Sequence, residues 1–335
     1  MQTTTLSRRV RLFAGSAVAA LALTGCGLGS SIVGVQDAPT ETTTGAAVPA
    51  GSAKDLAVTA LEAAKKAQEA TGKGSWSARS KALAGPALLE AHARAKYRSA
   101  SEKAIAEVSE PEKAQVLAVS RGTEWPRAIL VTTREKNVQS LHALISDDAR
   151  NPYRLFASVE MAPGASVPSL GELASGSPLV IDGKGMAGSP KSLFRDYAKD
   201  MGWPRPRSFA KTVSLGDSFS TAVRKNAAAQ RKSLRDLGYY RQRHLLLDEQ
   251  IIGFRLADGG ALAFGSLSRH DTIRSSKSTK RFVLPDDLAK ALKVRRAADI
   301  VKIRNVETLA MTIPAKKGTA RIVGAHEQLA SAWTQ

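Results

Sequence analysis

Apolar residues recur at helical spacing early in the chain and at strand spacing after residue 115. Leu61 and Ala64 share one face of a helix that this pattern predicts from Ala53 onward. A second helical pattern covers residues 77–108 and is interrupted by a Gly-Pro pair. The runs that follow are short, apolar and β-branched, which is typical of strands. Strands are predicted over residues 115–120, 128–133 and 153–160.

The same order of patterns returns in the second half of the chain. Ser189 and Pro190 predict the N-cap and first turn of a helix that runs to Met201. Asp217 predicts the cap of another helix, which ends at Leu237. Six strands are predicted after these helices, over residues 243–247, 251–256, 261–268, 282–284, 306–312 and 319–330. Helices followed twice by antiparallel strands predict an α+β chain built from two units.

The first 52 residues predict export and lipid anchoring. Three arginines at residues 8–11 precede an apolar run, 12–23, that is too short to span a bilayer. Cys26 is the only cysteine of the chain, and the Leu-Thr-Gly before it resembles a bacterial lipobox. We expect residues 1–25 to be a lipoprotein signal peptide. Residues 26–52 carry the lipidated cysteine and a polar, flexible tether.

The formal net charge of +19 would suggest nucleic-acid binding in a cytosolic protein. An exported protein meets little nucleic acid, so we expect no nucleic-acid partner. An exported protein instead meets anionic lipid and anionic wall polymers, and basic residues near such a surface contribute to binding. The single cysteine leaves no pair for a disulfide.

Basic residues are concentrated between residues 224 and 281, a segment that contains 13 Lys or Arg and 5 acidic residues. A solvated helix face and a basic loop would have the same composition, so the functional interpretation competes with a purely structural one. The residues that we predict to contact an anionic partner are Arg224, Arg231, Arg235, Arg274, Lys277, Lys280 and Arg281.

No catalytic or metal-binding motif stands out. The five histidines have no pair at metal-ligand spacing, and the sequence contains no nucleophile elbow, calcium loop or nucleotide loop. His244 and His270 could converge across strands, although a core or surface position is the better explanation for each. Asp271 beside His270 could form an acid/base pair, but adjacent strand residues point to opposite faces. We expect no enzyme activity, no metal and no cofactor.

Six short strings together resemble a family of actinobacterial lipoproteins of uncharacterised function. The strings are Gly85-Pro86-Ala87-Leu88, Trp125-Pro126-Arg127, Asn151-Pro152-Tyr153-Arg154-Leu155, Asp182-Gly183-Lys184-Gly185, Ser189-Pro190 with Tyr197-Ala198, and Leu256-Ala257-Asp258-Gly259-Gly260-Ala261-Leu262. The resemblance implies two tandem NTF2-like or cystatin-like units behind the lipobox, with helices packed on curved antiparallel sheets. It places the first unit at residues 53–180 and the second at 181–335, and it implies no catalytic residues.

These observations predict a lipid-anchored protein on the extracytoplasmic face of the cell membrane. Its expected role is that of a non-enzymatic binding or accessory module that contacts anionic lipid, wall polymer or an envelope protein. The alternative is an enzyme that uses a polar pocket inside one cone-shaped unit. Acid and base side chains facing inward from the sheet would favour that alternative.

Overall fold

The computed structural model describes residues 45–97, 108, 110–276, 282–297 and 299–334, with the backbone alone at 248–250, 282 and 287. Four predicted site residues, Cys26, Lys277, Lys280 and Arg281, lie outside the described residues.

Six α-helices occur in the described part of the chain, three in each half. Their bounds are α1 Ala50–Glu69, α2 Ser75–Ala82, α3 Gly85–Lys96, α4 Pro190–Asp200, α5 Ser218–Leu234 and α6 Asp286–Leu292. Ser189 and Asp217 cap α4 and α5 as predicted, because their side chains accept hydrogen bonds from the backbone N–H of Ser192 and Ser220.

Eleven strands occur in the described part of the chain. The four strands of the first half are β1 Gln115–Val119, β2 Arg127–Glu135, β3 Val138–Ser146 and β4 Arg154–Met161. The second half contains β5 Val213–Ser214, β6 Gly238–Arg255, β7 Ala261–Ser275, β8 Phe282–Val283, β9 Arg296–Ala297, β10 Ile300–Ile313 and β11 Ala320–Thr334.

One sheet runs through both halves, in the order β1-β2-β3-β4-β11-β10-β7-β6. The short β5 pairs in parallel with β11, and β8 and β9 form a separate two-stranded sheet. The halves join where β4 pairs with β11, with Met161 opposite Gly324 and Glu160 opposite Ala325. Strands from both sides of residue 180 therefore belong to the same sheet.

The predicted fold, an α+β chain of two tandem NTF2-like or cystatin-like units, is wrong. The continuous, mainly antiparallel sheet dominates the structure, and residues Thr42–Gln335 form one compact unit. Hydrophobic periodicity identifies strands but does not reveal which strand edges pair. Here the last strand of the chain completes the open edge of β4, which links the two halves by backbone hydrogen bonds.

Most predicted elements form near their expected positions, whereas α6, β5 and β9 were not predicted. Two further differences are informative. The pattern missed β3, which follows β2 through the two-residue turn Lys136-Asn137. Lys136 has a φ of 53°, the left-handed conformation that such hairpin turns require. The two strands predicted on either side of residue 248 are one long strand, β6, with an irregularity in its pairing there.

The first and last groups of strands share an apolar core. Leu130 of β2 and Leu141 of β3 belong to the same buried cluster as Phe254 of β6 and Phe264 of β7. A second core fills the opposite face of β1–β4, under α1 and α3. A third core lies between α4 and the strands β7, β10 and β11, around Tyr197.

Candidate functional site

A cleft of about 550 Å³ lies between α5 and the strands β6, β7, β10 and β11. This volume is within the range of small-molecule sites. The residues that line it are Phe219, Ala222, Val223, Asn226, Ala229, Gln230, Ser233, Tyr240, Gln242, Arg269, Asp271, Ile273, Ile303, Asn305 and Glu327.

Strand alternation brings the polar side chains of the cleft together. Tyr240, Gln242 and His244 occupy alternate positions of β6 and so share one face of the sheet. Register then places Gln242 opposite Asp271 and His244 opposite Arg269, both on β7. This face, which we call the inner face, points toward α5.

Arg269 is the centre of the inner face. Its Nε donates to Asp271 Oδ2 at 3.1 Å, and its Nη1 donates to Glu307 Oε1 at 3.0 Å. Both of its terminal nitrogens also donate to the carboxylate of Glu327. One guanidinium therefore contacts three carboxylates, one from each of β7, β10 and β11.

A second chain of hydrogen bonds extends from Glu307 to α4. Glu307 Oε2 lies 2.8 Å from His244 Nδ1, and His244 Nε2 lies 2.8 Å from Gln242 Nε2. Gln242 Nε2 also donates to the carbonyl of Met201 at 3.0 Å. A single tautomer satisfies these contacts: His244 carries its proton on Nδ1 and accepts at Nε2. His244 and Glu307 have fully buried side chains and do not face the solvent of the cleft.

Tyr240 links the carboxylates around Arg269 to the hydrogen bonds that run from Glu307 to Met201. Its hydroxyl lies 2.8 Å from Asp271 Oδ1 and 2.8 Å from Gln242 Oε1. A phenol has one proton, so it donates to one of these oxygens at a time. Burial and the neighbouring charge of Asp271 raise the pKa of Tyr240 well above its usual value, so its proton stays in place.

The pKa shifts of the charged residues reflect burial and the contacts within the network. Burial raises the pKa of Glu327, and the nearby charge of Glu307 adds to this effect against the attraction of Arg269. Burial alone would raise the pKa of Glu307, but His244 and Arg269 lower it. Burial would also lower the pKa of Arg269, yet its three carboxylates raise it. Glu307 and Arg269 thus stay charged, and Glu327 is the carboxylate that holds a proton most readily.

The helical wall of the cleft is neutral. Asn226, Gln230 and Ser233 of α5 supply uncharged hydrogen-bonding groups, and Phe219 and Val223 supply apolar surface. The only strong charges on the walls thus come from the inner face of the sheet. Among those, Glu327 is the most accessible, with 34% of its side chain exposed, compared with 11% for Arg269.

The arginines predicted from the sequence do not meet on one surface. Arg224 is half-buried on α5 and stacks over the Phe209 ring at 5.6 Å. Arg231 is exposed and donates to the backbone oxygen of Arg235, just past the end of α5. Arg274 lies on β7, three residues after the buried Asp271, and therefore on the opposite face of the sheet. The predicted set is therefore split between the two sides of the sheet.

Sequence reasoning missed the polar residues of the inner face. His244 and His270 do not converge: His244 contacts Glu307, whereas His270 lies on the other face and bonds Ser268 at 2.9 Å. The available signal was the alternation of polar residues at 240, 242 and 244 and at 269 and 271. Within the described residues, no group of three or more His, Cys, Asp or Glu is arranged to hold a metal ion. No helix of the described part is long and apolar enough to span a membrane.

Comparison with known protein families gives one match. The profile of a domain of unknown function, DUF8094, matches residues 94–333, which include the sheet and the cleft. Neither the curated proteins nor the solved structures provide a match. Because the matched region covers well over half of the sequence, the chain belongs to the DUF8094 family.

Proposed function

We propose that this protein is a non-enzymatic binding module of the cell envelope whose cleft takes up a small organic cation. The observation that carries the proposal is the charge balance of the inner face, where three carboxylates surround one guanidinium. A ligand that brings an ammonium or guanidinium group to the cleft would offset the excess negative charge.

Anions are poor candidates for the same cleft. Arg269 is the only cationic side chain among the lining residues, and its donors already point at Asp271, Glu307 and Glu327. An incoming carboxylate or phosphate would have to displace one of these internal partners. A cation can instead approach the partly exposed Glu327 while its apolar part lies against Phe219 and Ile303.

The test is direct binding of matched small probes. Benzylammonium combines an apolar ring with a cation, benzyl alcohol is its neutral analogue and benzoate its anionic one. Calorimetric titration should detect benzylammonium and give about tenfold weaker binding for Glu327→Gln. Glu160→Gln is the control, because Glu160 is an exposed glutamate of β4 outside the cleft. Equal binding of benzyl alcohol, or a preference for benzoate, would refute the proposal.

An enzyme remains the second candidate, and one observation favours it. Glu327 combines a raised pKa with access to the cleft, which suits a general acid. The other acid/base pair, His244 and Glu307, is sealed from the cleft and can only position its neighbours. Nuclear magnetic resonance of a bound ligand separates the candidates. A ligand that is recovered unchanged supports binding, and a ligand that is converted by the wild type but not by Glu327→Gln supports catalysis.

The location is also proposed, on the basis of the first 52 residues. Lipidation of Cys26 would hold the protein on the extracytoplasmic face of the cell membrane, where anionic lipid, wall polymer and envelope proteins are the proposed partners of its basic residues. Metabolic labelling with a fatty acid should mark the wild type and not Cys26→Ser. Lipid label that persists in the variant would contradict the anchor.

A further inference from the structure

On the face of the sheet opposite the cleft, no described element covers one end. Near Phe264 this outer face packs against the first four strands, and near Val306 it is covered by α3. Beyond these contacts, strand alternation brings five exposed cationic residues to the same side of β6, β7 and β10. We call this set the basic face, and its members are Arg241, Arg243, Arg274, Lys302 and Arg304.

The pairing register arranges the basic face in rows across the strands. Arg243 of β6, His270 of β7 and Arg304 of β10 form one row. Arg241 and Lys302 flank Thr272 in the next row. Neighbouring strands lie about 4.8 Å apart, so each row presents two cations about 10 Å from each other on a continuous surface.

Among the described side chains, acidic residues are absent from the outer positions of β7, of β10 and of the β6 segment at residues 239–245. Asp271, Glu307 and Glu327 all project from the inner face. Within the described residues, no carboxylate forms a salt bridge with any of the five cations. Partial burial and the charge of Arg304 lower the pKa of His270, as expected beside a concentration of positive charge. At this end of the sheet, the three carboxylates around Arg269 point toward the cleft and the five cations of the basic face point outward.

Exposed aromatic and apolar side chains lie among the cations. Trp333 is 48% exposed, and the Nζ of Lys302 lies 5.3 Å from the centre of its ring. Tyr239 and Leu245 occupy alternate positions of β6 on the same side as Arg241 and Arg243 and are also exposed. Trp and Tyr beside Lys and Arg are the combination that favours the interface between water and a bilayer.

We propose that the basic face docks on the surface of a bilayer rich in anionic phospholipid. The cations would contact headgroup phosphates, and Trp333 and Tyr239 would lie at the level of the headgroups. A bilayer suits this arrangement better than a soluble polyanion, because the cations are spread over three strands with apolar side chains between them. This surface is distinct from the cleft and from the arginines of α5, which lie on the inner side of the sheet.

Vesicle sedimentation tests the proposal without the lipid anchor. A chain that begins at Thr42 contains the whole compact unit and every described element. It should sediment with vesicles of phosphatidylcholine and phosphatidylglycerol, and not with phosphatidylcholine alone. Binding should be lost in high salt, because the Debye length falls from about 10 Å at 0.1 M to about 3 Å at 1 M.

Two double variants of equal charge locate the contact. Arg243→Gln with Arg304→Gln removes two cations of the basic face and should weaken vesicle binding more than tenfold. Arg231→Gln with Lys232→Gln removes two exposed cations of α5 and should change binding by about twofold at most. Circular dichroism and thermal unfolding check that both variants remain folded.

Three results would overturn the proposal. The first is that the chain ignores anionic vesicles at low salt. The second is that the α5 variant loses binding and the basic-face variant does not. The third is that soluble polyphosphate binds through the basic face while vesicles do not, which would identify a polyanion as the partner. Failure of benzylammonium to bind in the cleft would leave this proposal unaffected, since the two surfaces are on opposite sides of the sheet.

Discussion

The two ends of the sheet use helices in opposite ways. In the first half, α1 closes the face of β1–β4 with a row of small residues, Ala53, Ala57, Ala60 and Ala64, all of them buried. In the second half, α5 lies over long polar side chains such as Arg269, and a cleft remains between helix and strands. Small side chains let backbones approach closely, whereas a charged network keeps the helix at a distance.

Buried polar groups follow the same division. His142, in the centre of the first half, is satisfied by two neutral hydroxyls, those of Thr133 at 2.8 Å and Ser158 at 3.0 Å. His244, in the second half, is paired with the carboxylate of Glu307. The difference between the surroundings of His142 and His244 shows that antiparallel strands covered by helices do not by themselves form a site. A site requires charges that the fold cannot fully neutralise, next to a space that a ligand can enter.

The largest expected effect is at the centre of the charged network. Arg269→Met should lower the free energy of unfolding by about 4 kcal/mol, because it leaves three carboxylates without their shared cation. Arg154→Met is the matched control in the first half, where Arg154 pairs with the half-exposed Asp147 and the expected loss is below about 1 kcal/mol. Urea unfolding of both variants measures the difference. Equal losses of unfolding free energy in the two variants would show that the charged network of the second half is no more important for stability than the ion pair of the first half.

A buried acid joins the two regions and should make stability depend on pH. Thr308 of β10 donates a hydrogen bond to Glu90 of α3, and burial raises the pKa of Glu90 from 4.5 to about 8. The folded state therefore holds a proton that the unfolded chain releases, and stability should fall as pH rises from 4.5 to 8. Glu90→Gln should remove about 4 kcal/mol of this fall. Unfolding at several pH values measures it, with Glu160→Gln as the control that keeps the wild-type dependence.

His142 should produce the opposite dependence on pH. Burial lowers the pKa of His142 from 6.5 to about 4, so the folded state favours its neutral form. Its contribution is present above pH 6.5 and should decline as pH falls toward 4, by about 2 kcal/mol at pH 5. His326, whose pKa burial also lowers to about 4, titrates over the same interval. His142→Gln should therefore remove about half of the fall in unfolding free energy between pH 6.5 and pH 4. An unchanged fall would show that His142 is not held neutral.

The smallest expected effect concerns the helix termini. α4 and α5 have side-chain caps, whereas α1, α2 and α3 have none. Asp217→Ala should lower stability by about 1 kcal/mol, because the N–H of Ser220 loses its acceptor. Ser218→Ala, at an exposed position next to the cap, should have little effect. Thermal unfolding of both variants checks this, and equal shifts would mean that the cap is not the cause.

Local chemistry made several elements of the fold predictable. The caps Ser189 and Asp217 and the strand starting at Gln115 could be identified because each depends on residues close together in sequence. The strand β3 was missed because Lys136 and Asn137 are not a common hairpin pair, so no turn was recognised. The fold class was wrong because the pairing of β4 with β11 joins residues more than 160 positions apart.

The candidate site was beyond prediction for the same reason. Its carboxylates, Asp271, Glu307 and Glu327, come from three strands, and each one alone resembles a solvated surface residue in the sequence. The excess of Lys and Arg was visible from composition, and it directed attention to α5 and the loop after Arg274. The basic face required knowledge of strand order, because Arg243 and Arg304 become neighbours only through β7.

The sequence by itself determined the lipobox-like start, the helical and strand periods, the caps of α4 and α5 and the strong basic charge. All of these depend on residues within a few positions of each other or on simple counts. Tertiary structure alone decided that one sheet joins both halves, that acids collect on its inner face and that bases collect on its outer one. Alternation assigns each strand residue to one of two faces, but only the packing of helices and the pairing of distant strands decides which face is enclosed and which neighbours meet there.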